Sequence, residues 1–73
     1  MVHVADKILK EALNALNCSD YESAKALFYK LINIHPMHAE ANFNIGVLEL
    51  GSNNLSTAKK FFEIALEEDF ETI

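Results

Sequence analysis

Ala58-Lys59-Lys60-Phe61-Phe62, at residues 58–62, has a counterpart at residues 24–28, Ala24-Lys25-Ala26-Leu27-Phe28. In each stretch an alanine precedes a Lys, and a large apolar pair closes it. Working outward at the same offset, Ala5 meets Ala39, Leu9 meets Phe43, Leu13 meets Val47, Leu16 meets Leu50, and Ile32 meets Leu66. The polar breaks align too, with Asp20 on Asn54 and Tyr21 on Leu55, and no gap is needed. A fixed period of this length marks an array of supersecondary units, each too small to bury its apolar side alone.

Within the period, apolar residues recur every three or four positions, as on one face of a helix. The spacing predicts four helices: Val4–Leu16, Tyr21–Ile34, His38–Leu50 and Leu55–Glu68. The stripes are Ile8, Leu9, Ala12, Leu13, Ala15 and Leu16; Ala24, Leu27, Phe28, Leu31 and Ile32; Ala39, Phe43, Ile45, Gly46, Val47 and Leu50; and Ala58, Phe61, Phe62, Ile64, Ala65 and Leu66. Ser19 or Asp20 is placed to cap the second helix and Asn54 or Ser56 the fourth, through a side-chain oxygen on the first free amides. Pro36 lacks an N–H and forces His35 out of helical geometry, so the second helix stops before it. No segment alternates with period two, so no strand is predicted. Short loops require sequential helices to pack antiparallel. The fold expected is all-α: two stacked helix–turn–helix hairpins, residues 5–38 and 39–72, forming one domain.

Ala39-Glu40-Ala41-Asn42-Phe43-Asn44-Ile45-Gly46, a polar turn, then Ala58, Phe62 and Ala65 resemble a tetratricopeptide repeat, and Ala12, Tyr21, Ala24, Phe28 and Pro36 carry the likeness in the first unit. The chain departs from the repeat's pattern at Glu11, at Ala15 and Glu49 in place of a large aromatic, at Asn42 in place of a bulky residue, and at Phe70 in place of the closing proline. The resemblance implies a concave groove lined by the first helix of each unit. In this register the groove residues are Asp6, Leu9, Leu13, Leu16 and Asn17 from unit one, and Glu40, Phe43, Asn44, Val47 and Leu50 from unit two. Such a surface suits a partner protein or peptide, so a binding or scaffolding module is the function implied. Lys25 and Lys59, on the second helices, lie away from the groove. The carboxylate clamp of one subclass is excluded, since its Lys and Asn would fall on Leu9 and Leu13. The asparagine ladder of another has one rung here, Asn44, with Lys10 at the equivalent place in unit one. The stretch Glu11–Ala41 is also similar to N-terminal segments of bacterial glycosyltransferase-like proteins, which implies a substrate-recruiting role as an alternative.

Two units leave the outer side of the last helix uncovered. Phe61, Phe62, Leu66 and Phe70 are therefore expected to form a self-association face, or the seat of further repeats in a longer parent chain. Adjacent positions on a helix point about 100° apart, so one of Phe61 and Phe62 is expected to face its own unit and the other the missing neighbour. A homodimer through this face is the third reading.

Composition narrows the rest. The chain is 51% apolar, carries six Lys, no Arg and eleven Asp plus Glu, and has a net charge of −5. Nucleic-acid binding relies on clustered cations and is not expected. No apolar run is long enough for a membrane span. Cys18 is alone and no signal peptide is apparent, so a cytoplasmic protein is expected. Cys18 has no paired base. His35 and His38 lack the further ligands of a metal site. No phosphate loop or catalytic triad order occurs, so no enzyme, cofactor or metal is expected.

Overall fold

Helix formation here follows from alanine, leucine and lysine-rich segments broken at two polar turns and at one proline. The computed structural model describes the backbone of residues 2–71 and the side chains of residues 4–67. It contains α1 (Val2–Asn17), α2 (Tyr21–Ile34), α3 (Ala39–Gly51) and α4 (Leu55–Glu71). Each helix packs on the next in sequence, α1 on α2, α2 on α3 and α3 on α4. The architecture is all-helical, two stacked hairpins, with no strand among the described residues. The second unit's last residues and the side chain of Phe70 lie outside the described residues.

The two intra-hairpin turns are the same structure built twice. Ser19 and Asn53 occupy the same place in successive units and both adopt left-handed backbone, with φ of 62° and 66°. Asp20 N–H donates to Ala15 O at 2.8 Å and Asn54 N–H to Glu49 O at 2.9 Å. Ser19 N–H donates to Leu16 O at 2.9 Å and Asn53 N–H to Leu50 O at 3.0 Å. This nested pair of bonds satisfies carbonyls that the end of a helix leaves free. The glycine at Gly51 does not supply the left-handed residue; it ends α3, and Asn53 takes that conformation instead.

Of the two caps proposed for α2, Asp20 is the one used, accepting from Ser23 N–H at 3.3 Å. It thus serves both the end of α1 and the start of α2. α2 stops at Ile34, as Pro36 requires, and His35 leaves helical geometry with φ of −135° and ψ of 82°. α3 begins at Ala39 rather than His38, because His38 is its cap: Nδ1 accepts from Ala41 N–H at 3.2 Å.

The core unites both hairpins. Ile8, Ala12, Ala24, Phe28, Leu31, Ala41 and Ile45 form one buried cluster drawn from α1, α2 and α3. Ala12 and Ala24 are wholly buried, as small residues must be where two helices meet closely. Gly46 does the same work between α3 and α4. A Cβ there would lie 2.7 Å from Cε1 of Phe62, so the ring rests on bare backbone. The outer side of α1 differs from that of α3. At the positions where α3 has Ala41, Ile45 and Leu48, α1 has Lys7, Glu11 and Asn14, all exposed.

Candidate partner-binding surface

Groove residues from the two units have different environments. On α1, Leu9, Leu13 and Leu16 are half-buried against the core, and Asp6 and Asn17 are exposed. On α3, Phe43, Val47 and Leu50 stand one turn apart and remain 52%, 43% and 51% exposed. Glu40 is exposed at the start of the same stripe. Half-buried Asn44 turns its amide back on its own helix, donating to Glu40 O at 2.9 Å. Tyr21, outside the groove register of the sequence, is 57% exposed. It lines a recess of ≈ 370 Å³ with Val47, Leu48, Gly51 and Ser52. The sequence's signal for it is the large apolar Leu55 at the equivalent place in unit two.

Phe61 and Phe62, adjacent in sequence, take different neighbours. Phe61 packs edge-on against Tyr29 of α2, with ring centroids 5.7 Å apart. Phe62 packs against Phe43 of α3 at 5.7 Å and covers Gly46. Both are half-buried, because α4 sits against α3 on one flank and reaches α2 on the other. Ala65 is buried as well, and among the described residues of the expected face Leu66 is the most exposed, at 55%. Phe43 and Phe62 bring the groove and the α4 face together. A cleft of ≈ 570 Å³ opens where they meet, lined by Ala39, Glu40, Phe43, Phe62, Ala65 and Leu66.

Behind the α3 stripe lies a polar network that fixes α3 on α2. Glu49 is only 4% exposed. It accepts from Tyr29 Oη at 2.6 Å, from Asn54 Nδ2 at 2.7 Å and from Lys25 Nζ at 3.2 Å. Lys25 is thus tied to α3 and is no bystander on the back of the array. The Tyr29 bond is the largest influence holding the Glu49 carboxyl below the ordinary carboxylate range, with Asn54 and Lys25 adding to it. Burial pushes the other way and is outweighed by these bonds. Burial first, and then the bond and charge of Glu49, push the Tyr29 phenol up to about 12. Asn42, two helical turns earlier on α3, is wholly buried and donates from Nδ2 to Pro36 O at 3.0 Å and to His38 O at 2.8 Å. It ties α3 to the preceding loop.

No family model, curated protein or solved structure matches this chain. Function is therefore read from the internal repeat and from the surfaces it creates.

The His35 and His38 rings meet edge to face at 5.5 Å, with Nδ1 of His38 committed to its cap. Cys18 is a free, exposed thiol in the first turn. Among the described residues no helix is long and apolar enough to cross a membrane.

Proposed function

We propose that this chain is a protein-binding module of the tetratricopeptide type, and that its partner engages the exposed stripe of α3. The observation that carries this reading is Phe43, Val47 and Leu50, three large apolar side chains on one helical face, each about half exposed. Leaving them in water costs stability at roughly 25 cal/mol per Å², so covering them supplies binding free energy. Tyr21 at one end adds an aromatic with a polar tip, a side chain well suited to anchoring a partner. The rigid backing matters equally. Glu49 and Asn42 pin α3 from its buried side, so the stripe is held in place before a partner arrives, which lowers the ordering cost of binding. The favoured ligand is an amphipathic or extended apolar segment of another protein.

The test is selection from a displayed library of random peptides, run on the native chain and on Val47→Asp and Leu50→Asp variants. Enrichment of apolar peptides whose binding both variants abolish supports the groove. Enriched peptides that bind both variants as well as they bind the native chain would overturn it.

A further inference from the structure

We propose that the outer face of α4, from Lys59 to Leu66, is the seat for a helix of a partner protein that carries an Ala-x3-Ile-x3-Gln pattern. The seat borders the α3 stripe at Phe43 but does not include Val47 or Leu50, and it follows from how this chain already seats one of its own helices. α3 lies on α2 through Ala41, Ile45 and Glu49, spaced four apart on one helical face. Ala41 and Ile45 enter the cluster of Phe28 and Leu31, while Glu49 takes up Lys25 and Tyr29. Moving one repeat along turns that α2 surface into the α4 surface: Phe28 becomes Phe62, Leu31 becomes Ala65, Ile32 becomes Leu66 and Lys25 becomes Lys59.

The two surfaces differ in what covers them. Phe28 and Leu31 are fully buried, whereas Phe62 is half-exposed and Leu66 is 55% exposed. The ≈ 570 Å³ cleft between α3 and α4 is the image of the place where, in unit one, Ala5, Leu9 and Ile32 close against the shared core. An alanine and an isoleucine four residues apart enter the first of these places, and the same pair enters the second without a clash, since Ala65 leaves more room than Leu31 does.

Charge sets the third position. On α2 both groups facing Glu49 are donors, the Lys25 ammonium and the Tyr29 hydroxyl, so a carboxylate satisfies them. On α4 the equivalent groups are Lys59, a donor, and Glu63, an acceptor, both exposed. A side chain that accepts from one and donates to the other matches both as the seat is covered, and glutamine does both. A second copy of this chain is a poor occupant in the stacking sense. Its α1 offers Lys7, Glu11 and Ala15 at the three positions, which would press charges into an apolar cleft and give Lys59 no acceptor.

The probe is a capped synthetic peptide with the sequence of residues 37–54, altered at Gly46→Ala to favour helix and at Glu49→Gln. Fluorescence anisotropy should show saturable binding, with the Gln peptide at least about threefold tighter than the same peptide retaining Glu. The protein variant Glu63→Tyr should reverse that order, because it restores two donors. Leu66→Asp, at a position already exposed in the native fold, should abolish binding, and Val47→Asp should leave it unchanged, which separates this seat from the groove. Helicity of each variant by circular dichroism confirms that it folds. Absence of saturable binding, an order unaltered by Glu63→Tyr, or indifference to Leu66→Asp would each overturn the proposal. So would a dimer of the native chain in sedimentation that Leu66→Asp dissolves, since a second copy would then hold the face.

Discussion

Replacing Glu49 by alanine should destabilise the fold markedly, although sequence alone marks Glu49 as a polar intruder. Three donors converge on its carboxylate, at 2.6, 2.7 and 3.2 Å. The substitution leaves Tyr29 and Asn54 without that acceptor, while Lys25, one-third exposed, regains water. A hydrogen bond to a charged group contributes about 1.5–3 kcal/mol. The higher helix propensity of alanine and the water regained by Lys25 offset part of this, and the expected loss is about 2–4 kcal/mol. For a domain of this size that lowers Tm by roughly 10–30 °C. Urea unfolding followed by circular dichroism measures it. Tyr29→Phe should cost about 1 kcal/mol alone, and the double variant should fall short of the sum, because the two share one interaction. A Glu49→Ala loss below about 0.5 kcal/mol would refute the reasoning, since that is the range of inconsequential surface changes.

The same network sets a pH dependence. The Glu49 carboxyl is held low in the folded state, so its contribution is complete above the unfolded carboxylate value, about 4.3, and is lost as pH falls through the folded value. Tyr29 is raised to about 12, so its contribution is complete below about 10 and is lost as pH rises between these values; urea midpoints across pH should decline at both ends. Gly46→Ala gains about 1 kcal/mol of helix propensity but drives a Cβ to 2.7 Å from the Phe62 ring, and net destabilisation with partial relief by Phe62→Leu is expected in thermal melts. Ser19→Gly should stabilise by about 0.5–1 kcal/mol by removing left-handed strain, and Asn53→Gly by less, because asparagine tolerates that conformation; equal effects would speak against the turn geometry.

Much of the architecture was legible in the sequence because it was written there twice. The repeat spacing places the helices, and Pro36 and the polar turns place their ends within a few residues. α3 was less legible. Its apolar residues surround the helix, so periodicity does not separate Ile45, which is buried, from Phe43, Val47 and Leu50, which are not. The buried polar pair was hidden for another reason. Asn42 and Glu49 are stabilised by partners that the local sequence does not display: two backbone carbonyls near Pro36, and side chains on α2. The repeat held a clue, since both lie one period after stripe residues of α1, Ile8 and Ala15. A polar residue at such a position needs partners, and Tyr29 and Lys25 are one helix away. The neighbours of Phe61 and Phe62 are not written locally either, because the approach of α2 to α4 is a tertiary contact. α4 has α3 on one side and Tyr29 of α2 on the other.

The groove reading is tested most directly by mapping where a selected peptide lands. Amide shifts in ¹⁵N-labelled protein, recorded as the tightest peptide from the library is added, report this residue by residue. The account expects the largest changes at Phe43, Val47 and Leu50, extending to Leu13 and Leu16 on α1 and to Tyr21. Changes confined to the far side of α2, around Glu22, Ala26 and Lys30, with the α3 stripe unmoved, would contradict it.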